Sequence, residues 1–306
     1  MSNRSRRHSL RRFWISAMVL CVVVGLTAAI SLALRPTTLP DGARSSTPNM
    51  PNSSLPSPDV STLPDTPPAA ATVRLMATGD NLIHDSIYQQ ANRAAGGNGF
   101  DFHSVYAHIE GLIAKADLAY LAQETIVAER LYPLSGYPRF NSPEAMGKHM
   151  VQIGFNVVGI ANNHMFDMGE KGLVAALDFW QEQNVPVFGA WRTEADMHKP
   201  IITEKNGVKI AWVPMTEHTN GLALPADTAM RYLLTSEREL IKEQIAQARQ
   251  NADFVIVVPH WGTEYSLDAN SNQIELAQCF ADLGADLVLG GHSHTLQPME
   301  WRMSAS

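Results

Sequence analysis

Charge is scarce in this chain, and cysteine scarcer still. Of 306 residues only 17% are Asp, Glu, Lys or Arg, and two are Cys. Two cysteines cannot build a disulfide-rich scaffold. There is no Gly-x-Gly-x-x-Gly run, no Walker phosphate loop and no Gly-x-Ser-x-Gly elbow. Those absences remove the dinucleotide-binding, P-loop and α/β-hydrolase readings. A basic excess is lacking too: the formal net charge is −7, whereas a nucleic-acid binder normally carries a basic footprint. Nucleic acid is therefore not expected as a partner. What is plentiful is apolar. At 45% hydrophobic residues the chain is not largely disordered, and its length suffices for one sizeable core or two small ones.

The charge is unevenly spread. Residues 1–12 carry Arg4, Arg6, Arg7, Arg11 and Arg12 and no acid. Residues 13–34 follow with no charge in 22 positions, long enough for a helix to cross a bilayer. A buried helix of a soluble domain is the competing explanation, and the length disfavours it. The basic flank predicts a cytoplasmic N-terminus and an extracytoplasmic remainder. A signal-peptide core is shorter, about 7–15 residues. No clean Ala-x-Ala follows the run, and Cys21 stands after Leu20, where a lipoprotein signal needs a small residue. An uncleaved, single-pass signal anchor in the cell membrane is expected over a cleaved signal. Residues 35–72 are rich in Pro, Ser and Thr and read as an extended, semi-rigid linker. Residues 1–72 hold seven Arg and three Asp, a net of +4, which leaves −11 for residues 73–306. The only cysteine left there is Cys279, expected as a small buried apolar group.

From residue 73 onward, short apolar and β-branched runs alternate with helical patterns. Strands are expected over 73–78, 118–121, 156–160, 185–188, 208–213, 254–258 and 286–289. Helices are expected over 173–183, 236–250 and 272–283. Ser236 and Glu239 stand in capping-box spacing, Leu240, Ile241 and Ile245 mark an apolar side, and Gly284 stops the third helix. The alternation implies an α/β fold with much parallel pairing. In such folds ligands bind beyond the carboxyl ends of the strands.

Five of the strands end in polar residues: Gly79-Asp80, Gln123-Glu124, Asn162-Asn163-His164, His260-Trp261-Gly262 and Gly290-Gly291-His292-Ser293-His294. Asp, Glu, Asn and His are hard or borderline metal ligands, and the absence of Cys disfavours a structural zinc site. The His-Ser-His segment is the sharpest signal. Two histidines two positions apart in a loop can face one cavity, and the glycines before them let the backbone turn tightly. His260 directly follows a buried strand; Trp261 reads as packing more readily than as a stacking platform. Glu264 is open between ligand, partner of His260 and solvated side chain. Asn163 offers a neutral oxygen and His164 an acid–base group, with Asp167 and Gly169 just beyond; ordinary turn chemistry competes. Asp80 and Glu124 are weak signals singly and strong as part of the set. His84, His103, His108, His149, His198 and His218 lack such context and read as surface or supporting residues.

In order along the chain, Gly79-Asp80, Glu124, Ala161-Asn162-Asn163-His164 with Asp167 and Gly169, His260-Trp261-Gly262 with Glu264, and Gly291-His292-Ser293-His294 with Gln297 and Glu300 resemble the bacterial capsule synthesis proteins of the CapA type. The resemblance covers about residues 73–301, with weaker matches at Gly189-Ala190 and Gly284-Ala285-Asp286. That family is linked to poly-γ-glutamate synthesis and is similar in fold to calcineurin-like metallophosphatases. The resemblance implies a four-layer α-β-β-α sandwich over residues 73–306, with a two-metal site at one end. Carried over position by position, Asp80 and His294 would serve one metal, Glu124 would bridge, and Asn163, His260 and His292 would serve the second. His164 would be the general acid, with Asp167 beside it. Asn162, Trp261 and Glu264 would meet substrate or support the ligands. The ions implied are two divalent metals, Mn, Zn or Fe. The implied partners are the membrane and a capsule polymer or its synthesis complex.

Three departures from the family pattern stand out. Asp80 is followed by Asn81-Leu82 rather than by x-His, and the usual Asn-Leu-Glu is Ala122-Gln123-Glu124. The chain also ends at Ser306, soon after Glu300, where the family continues into a strand ending in Gly-Asn-Phe. Closing strands are therefore expected to be missing. Three functions compete: a metal-dependent hydrolase or transferase, which is favoured; a tethered, non-catalytic component that binds or guides the polymer; and a general metallophosphoesterase. A domain charge of −11 disfavours long-range attraction of a polyanion without metal ions.

Overall fold

Alternate residues of each central strand go to opposite cores, and this sorts the chain into layers. The structure, a computed structural model, describes residues 71–304. The basic tail (1–12), the expected anchor (13–34) and nearly all of the expected linker (35–72) lie outside the described residues. Among the described residues no helix is long and apolar enough to cross a membrane.

The strands are β1 (Leu75–Asp80), β2 (Leu118–Ala122), β3 (Val157–Gly159), β4 (Val187–Phe188), β5 (Ile201–Lys205), β6 (Val208–Thr216), β7 (Phe254–His260) and β8 (Leu287–Val288). Between them run α1 (Asp85–Ala94), α2 (His103–Ile113), α3 (Glu144–Gln152), α4 (Gly169–Glu182), α5 (Glu194–Met197), α6 (Arg238–Asn251) and α7 (Ser271–Asp282). The strands form two four-stranded sheets, ordered β1-β2-β3-β4 and β5-β6-β7-β8. Every pairing is parallel except β5 with β6. This is an α/β fold with parallel sheets.

On β2, Ala119 and Leu121 join the helices of the first half, including Phe179 and Trp180 of α4, while Leu118 and Tyr120 turn the other way. On β7, Val255 and Val257 pack with Ile241 and Ile245 of α6 and Leu276 and Phe280 of α7, while Ile256 and Val258 turn inward. The inward sets of both sheets share one cluster with Trp212 and Phe188. Helices thus cover one face of each sheet, and the other faces meet. Tyr120, Phe188 and Trp212 stack there with centroids 5.3–6.0 Å apart; burying each such ring contributes roughly 1.5–3 kcal/mol.

Several boundaries differ from the sequence reading. β1 runs to Asp80 and β7 to His260, so these two polar residues close their strands rather than follow them. The hairpin partner β5 was not anticipated, although its turn, Asn206-Gly207 with φ of 52° and 77°, carries the strongest short hairpin signal. The Ser236–Glu239 capping box is absent. Glu237 is the N-cap of α6, and its carboxylate accepts from Leu234 N at 2.7 Å, closing a preceding turn instead. A full box forms at α7, where Asn270 Oδ1 accepts from Gln273 N and Gln273 Oε1 accepts from Asn270 N, each at 2.9 Å. Cys279 is only half-buried, because Leu276 and Phe280 occupy the inward stripe of α7.

Candidate metal centre

Parallel strands deliver their carboxyl ends to one side of a sheet, and here both sheets deliver to a common point. Asp80 closes β1, Glu124 follows β2, Asn163 follows β3, His260 closes β7, and His292 and His294 follow β8. Asp80, from the first sheet, accepts a hydrogen bond from His292 N of the second at 2.8 Å and lies 3.3 Å from His294 Nδ1 and 3.6 Å from His260 Nδ1. Glu124 Oε1 lies 3.7 Å from His260 Nε2 and 3.8 Å from His294 Nε2. Asn163 Oδ1 is 2.9 Å from His260 Nε2.

The backbone after β8 is shaped for this approach. His292 and His294 hold positive φ, 88° and 52°, which is uncommon for residues with a side chain and often found at functional sites. Gly291 has no room for one: an added Cβ would fall 2.7 Å from Asp80 Oδ1 and 3.2 Å from His260 Nδ1.

Two groups of donors result, Asp80–Glu124–His294 and Glu124–His260–His292, with ligand atoms within 4.8 Å of one another and Glu124 common to both. Their polar atoms are buried and short of partners. Asp80 Oδ1, both oxygens of Glu124 and His292 Nδ1 accept or donate no hydrogen bond. Buried polar groups are normally satisfied, and leaving them unpaired is costly. Divalent cations satisfy such a set, and carboxylates with imidazoles suit Mn, Zn or Fe. The residues present therefore fit a metal centre.

The electrostatics follow from burial. Glu124 is pushed up to about 8, first by desolvation and then by Asp80. Desolvation also acts upward on Asp80, but the hydrogen bond from His294 and the charge of His260 outweigh it and hold the carboxyl below its usual range. His260 is pushed down to about 3, chiefly by burial. His292 is lowered by burial and then by His218. His294 is raised, mainly by its hydrogen bond to Asp80.

His164 stands beside this centre in a fixed pose. Its Nδ1 is 2.8 Å from Asp167 Oδ2, and the same oxygen accepts from Phe140 N at 2.7 Å. The Phe140 ring stands edge-on to the imidazole at 4.8 Å. Asn162 does not face the donor groups. Its Oδ1 accepts from His164 N at 2.9 Å and its Nδ2 donates to Gln123 O at 2.9 Å, so it ties the β3 loop to the β2 loop. Trp261 is buried and stacks on Phe280 at 5.7 Å, in the core beneath the centre. Glu264 is exposed and makes no hydrogen bond to His260; its charge reaches His292 through space.

Further residues support the centre, among them Tyr106 and Glu217, which the sequence reading does not name. Gln123 is buried, accepts from Asn81 Nδ2 at 2.7 Å and donates to Thr125 O at 2.6 Å. Asn81 accepts in turn from the Tyr106 hydroxyl at 2.7 Å. The two departures from the family pattern thus bond to each other. Glu217, after β6, accepts from Gly262 N at 2.8 Å and Asn272 Nδ2 at 2.9 Å, bracing the loop after His260. His218, exposed, sets its ring edge-on to His292 at 5.0 Å. Tyr106 and Glu217 carry no local sequence signal, since each acts through an element distant in the chain.

A family model described as bacterial capsule synthesis protein PGA_cap matches residues 74–305. The chain is similar to the PGA biosynthesis protein CapA of Bacillus subtilis, 36% identical over 154 residues, covering 50% of this chain and 40% of that one. It is likewise similar to the capsule biosynthesis protein CapA of Bacillus anthracis, 31% identical over 164 residues, covering 52% of this chain and 40% of that one. The chain thus matches well under half the length of either curated relative. Among solved structures, the NAD nucleotidase of Haemophilus influenzae aligns with a TM-score of 0.42 at 18% identity, over 64% of this chain and 33% of that one.

Proposed function

This chain belongs to the bacterial capsule synthesis protein family PGA_cap, and from that premise we propose that it is a membrane-anchored accessory protein of capsule-polymer synthesis with a dinuclear, hydrolase-type site. The polymer is poly-γ-glutamate or a close relative, met alone or in its synthesis complex. In this reading residues 1–12 are a cytoplasmic tail, 13–34 the signal anchor, 35–72 the linker, and 73–306 an extracytoplasmic domain of metallophosphatase type. The layering of helices and sheets supports that last assignment.

One observation carries the reading: a buried carboxylate, Glu124, common to two donor groups and with both oxygens unpaired. Asp80 and His294 would hold one ion, and Asn163, His260 and His292 the other, with Glu124 between them. Two ions bound there would supply an activated water and positive charge for the anion that develops as a bond is cleaved. The chain's own groups do the rest. Asp80 accepts from His292 N and so locks the β8 loop onto β1. Asp167, itself fixed by Phe140 N, holds Nδ1 of His164 and leaves Nε2 to give a proton to the leaving group.

Elemental analysis of the full chain in detergent tests the centre. Two ions per chain are expected, lost on the double substitution His260→Ala and His292→Ala; stoichiometric metal unaffected by that change would place the ions elsewhere. Incubation with poly-γ-glutamate, followed by size-exclusion chromatography, tests the chemistry. His164→Asn is expected to slow cleavage by about 10²-fold or more with metal content intact. Unchanged cleavage would remove His164 from the role of acid.

A further inference from the structure

Beside His164 a loop keeps its shape through buried polar bonds. Asn141 is fully buried; its Oδ1 accepts from Ala128 N at 2.8 Å, and its Nδ2 donates to the carbonyls of Tyr132 and Pro133 at 2.9 and 3.0 Å. Ser135 and Asn141 exchange both backbone bonds, at 3.1 and 3.0 Å. Phe140 is held by Asp167 and touches His164, as described above. At the near side, Gly136 lies so close to α1 that an added Cβ would come 3.1 Å from Asp85 Cβ. This braced loop nonetheless presents its tip to solvent: Tyr137 is 78% exposed, and Arg139 is exposed.

Arg139 is unusual among the arginines. Arg130, Arg192, Arg231, Arg238, Arg249 and Arg302 each pair with a carboxylate, and Arg74 donates to the Lys115 carbonyl. Arg139 has no ion pair or hydrogen bond among the described residues. Arg93 also lacks one, but it sits in the last turn of α1, whereas Arg139 directly precedes the residue that touches His164. The carboxylates that meet this loop are Asp167, at Phe140 N, and Asp85, beside Gly136, so an anionic ligand needs a cation that is not already engaged. A free guanidinium binds carboxylate through two parallel hydrogen bonds. An exposed tyrosine ring offers a rigid apolar face to an aliphatic segment.

We propose that Tyr137 and Arg139 form a substrate-binding rim for a polycarboxylate chain, Arg139 taking a side carboxylate and Tyr137 the adjoining methylenes, so that the next linkage lies before His164. This rests on the capsule-polymer reading above. The loop is preorganised by Asn141 and Ser135, so little ordering is needed on binding.

Isothermal titration of the metal-loaded full chain with a γ-linked glutamate decamer tests the rim. Arg139→Ala is expected to weaken binding about tenfold or more, Arg139→Glu further, and Arg139→Lys less than either. Tyr137→Ala is expected to weaken it several-fold. Metal content should stay at the native level throughout, and the salt dependence of binding should be shallower in Arg139→Ala than in the native chain. Decamer binding by Arg139→Glu within twofold of native overturns the rim and leaves the functional reading standing. Loss of metal in Arg139→Ala also overturns it, since the effect would then be indirect. A native chain with full metal content and no decamer affinity overturns the polymer reading, and the rim with it.

Discussion

Glu124 is almost wholly buried, and its acid is pushed up to about 8 by desolvation and then by Asp80. In the metal-free protein the folded state therefore keeps a proton that the unfolded chain releases at far lower pH. The sign follows: this group's contribution is fully present below the unfolded value of 4.5 and is lost as pH rises toward about 8. Glu124→Gln is expected to remove this share, so that between pH 4.5 and about 8 the metal-free native chain loses more stability, or gains less, than the variant. Urea denaturation in chelator at several pH values across the window measures it; equal slopes in the two proteins would contradict the assignment. His260 acts in the opposite sense. Burial lowers it to about 3, so its contribution is present above the unfolded value and is lost as pH falls. At this scale the donor residues were legible, because Asp, Glu, Asn and His stand where apolar runs stop. Glu217 and Arg139 were not: the partners of Glu217 lie 45 and 55 residues away, and Arg139 has none among the described residues.

Elements differ in how locally they are specified. α7 has a reciprocal cap between Asn270 and Gln273, and Asn270→Ala is expected to cost about 1 kcal/mol, or roughly 2–4 °C in Tm for a domain of this size. Gln273 also donates to Gln297 Oε1 at 2.8 Å, so scanning calorimetry should show a larger loss for Gln273→Ala than for Asn270→Ala. Equal losses would mean that the link to Gln297 contributes nothing measurable. The box expected at the start of α6 does not form. Ser236 and Glu239 have capping-box spacing, but Glu237 engages Leu234 N and moves the start of α6. A spacing rule sees neither competitor nor turn. Conversely, the Asn206-Gly207 hairpin was local, and its signal was there to be used. Alternation of apolar runs with helices placed most of the strands, because burial on both faces demands continuous apolar residues; the ends of β1 and β7 escaped it, because Asp80 and His260 are polar yet still within the ladder.

The whole molecule depends on the cluster where the two sheets meet. Trp212 is buried there, stacked on Tyr120 and Phe188 and donating from Nε1 to Thr203 Oγ1 at 2.9 Å. Trp212→Ala should cost about 3–5 kcal/mol, and Tm should fall by roughly 10 °C. It should also lower metal affinity, because the centre draws Asp80 and Glu124 from one sheet and His260, His292 and His294 from the other. A destabilised variant with native affinity would show that the two sheets hold the centre independently of their packing. By itself the sequence determined the class of fold, the strand-end chemistry and the charge division, since periodicity and composition are properties of neighbouring residues. Tertiary structure alone decided which strands share a sheet, how the two sheets face, and that donors up to 214 positions apart come within 4.8 Å. Those are outcomes of long-range packing, where the energy comes from surfaces meeting and not from the order of residues along the chain.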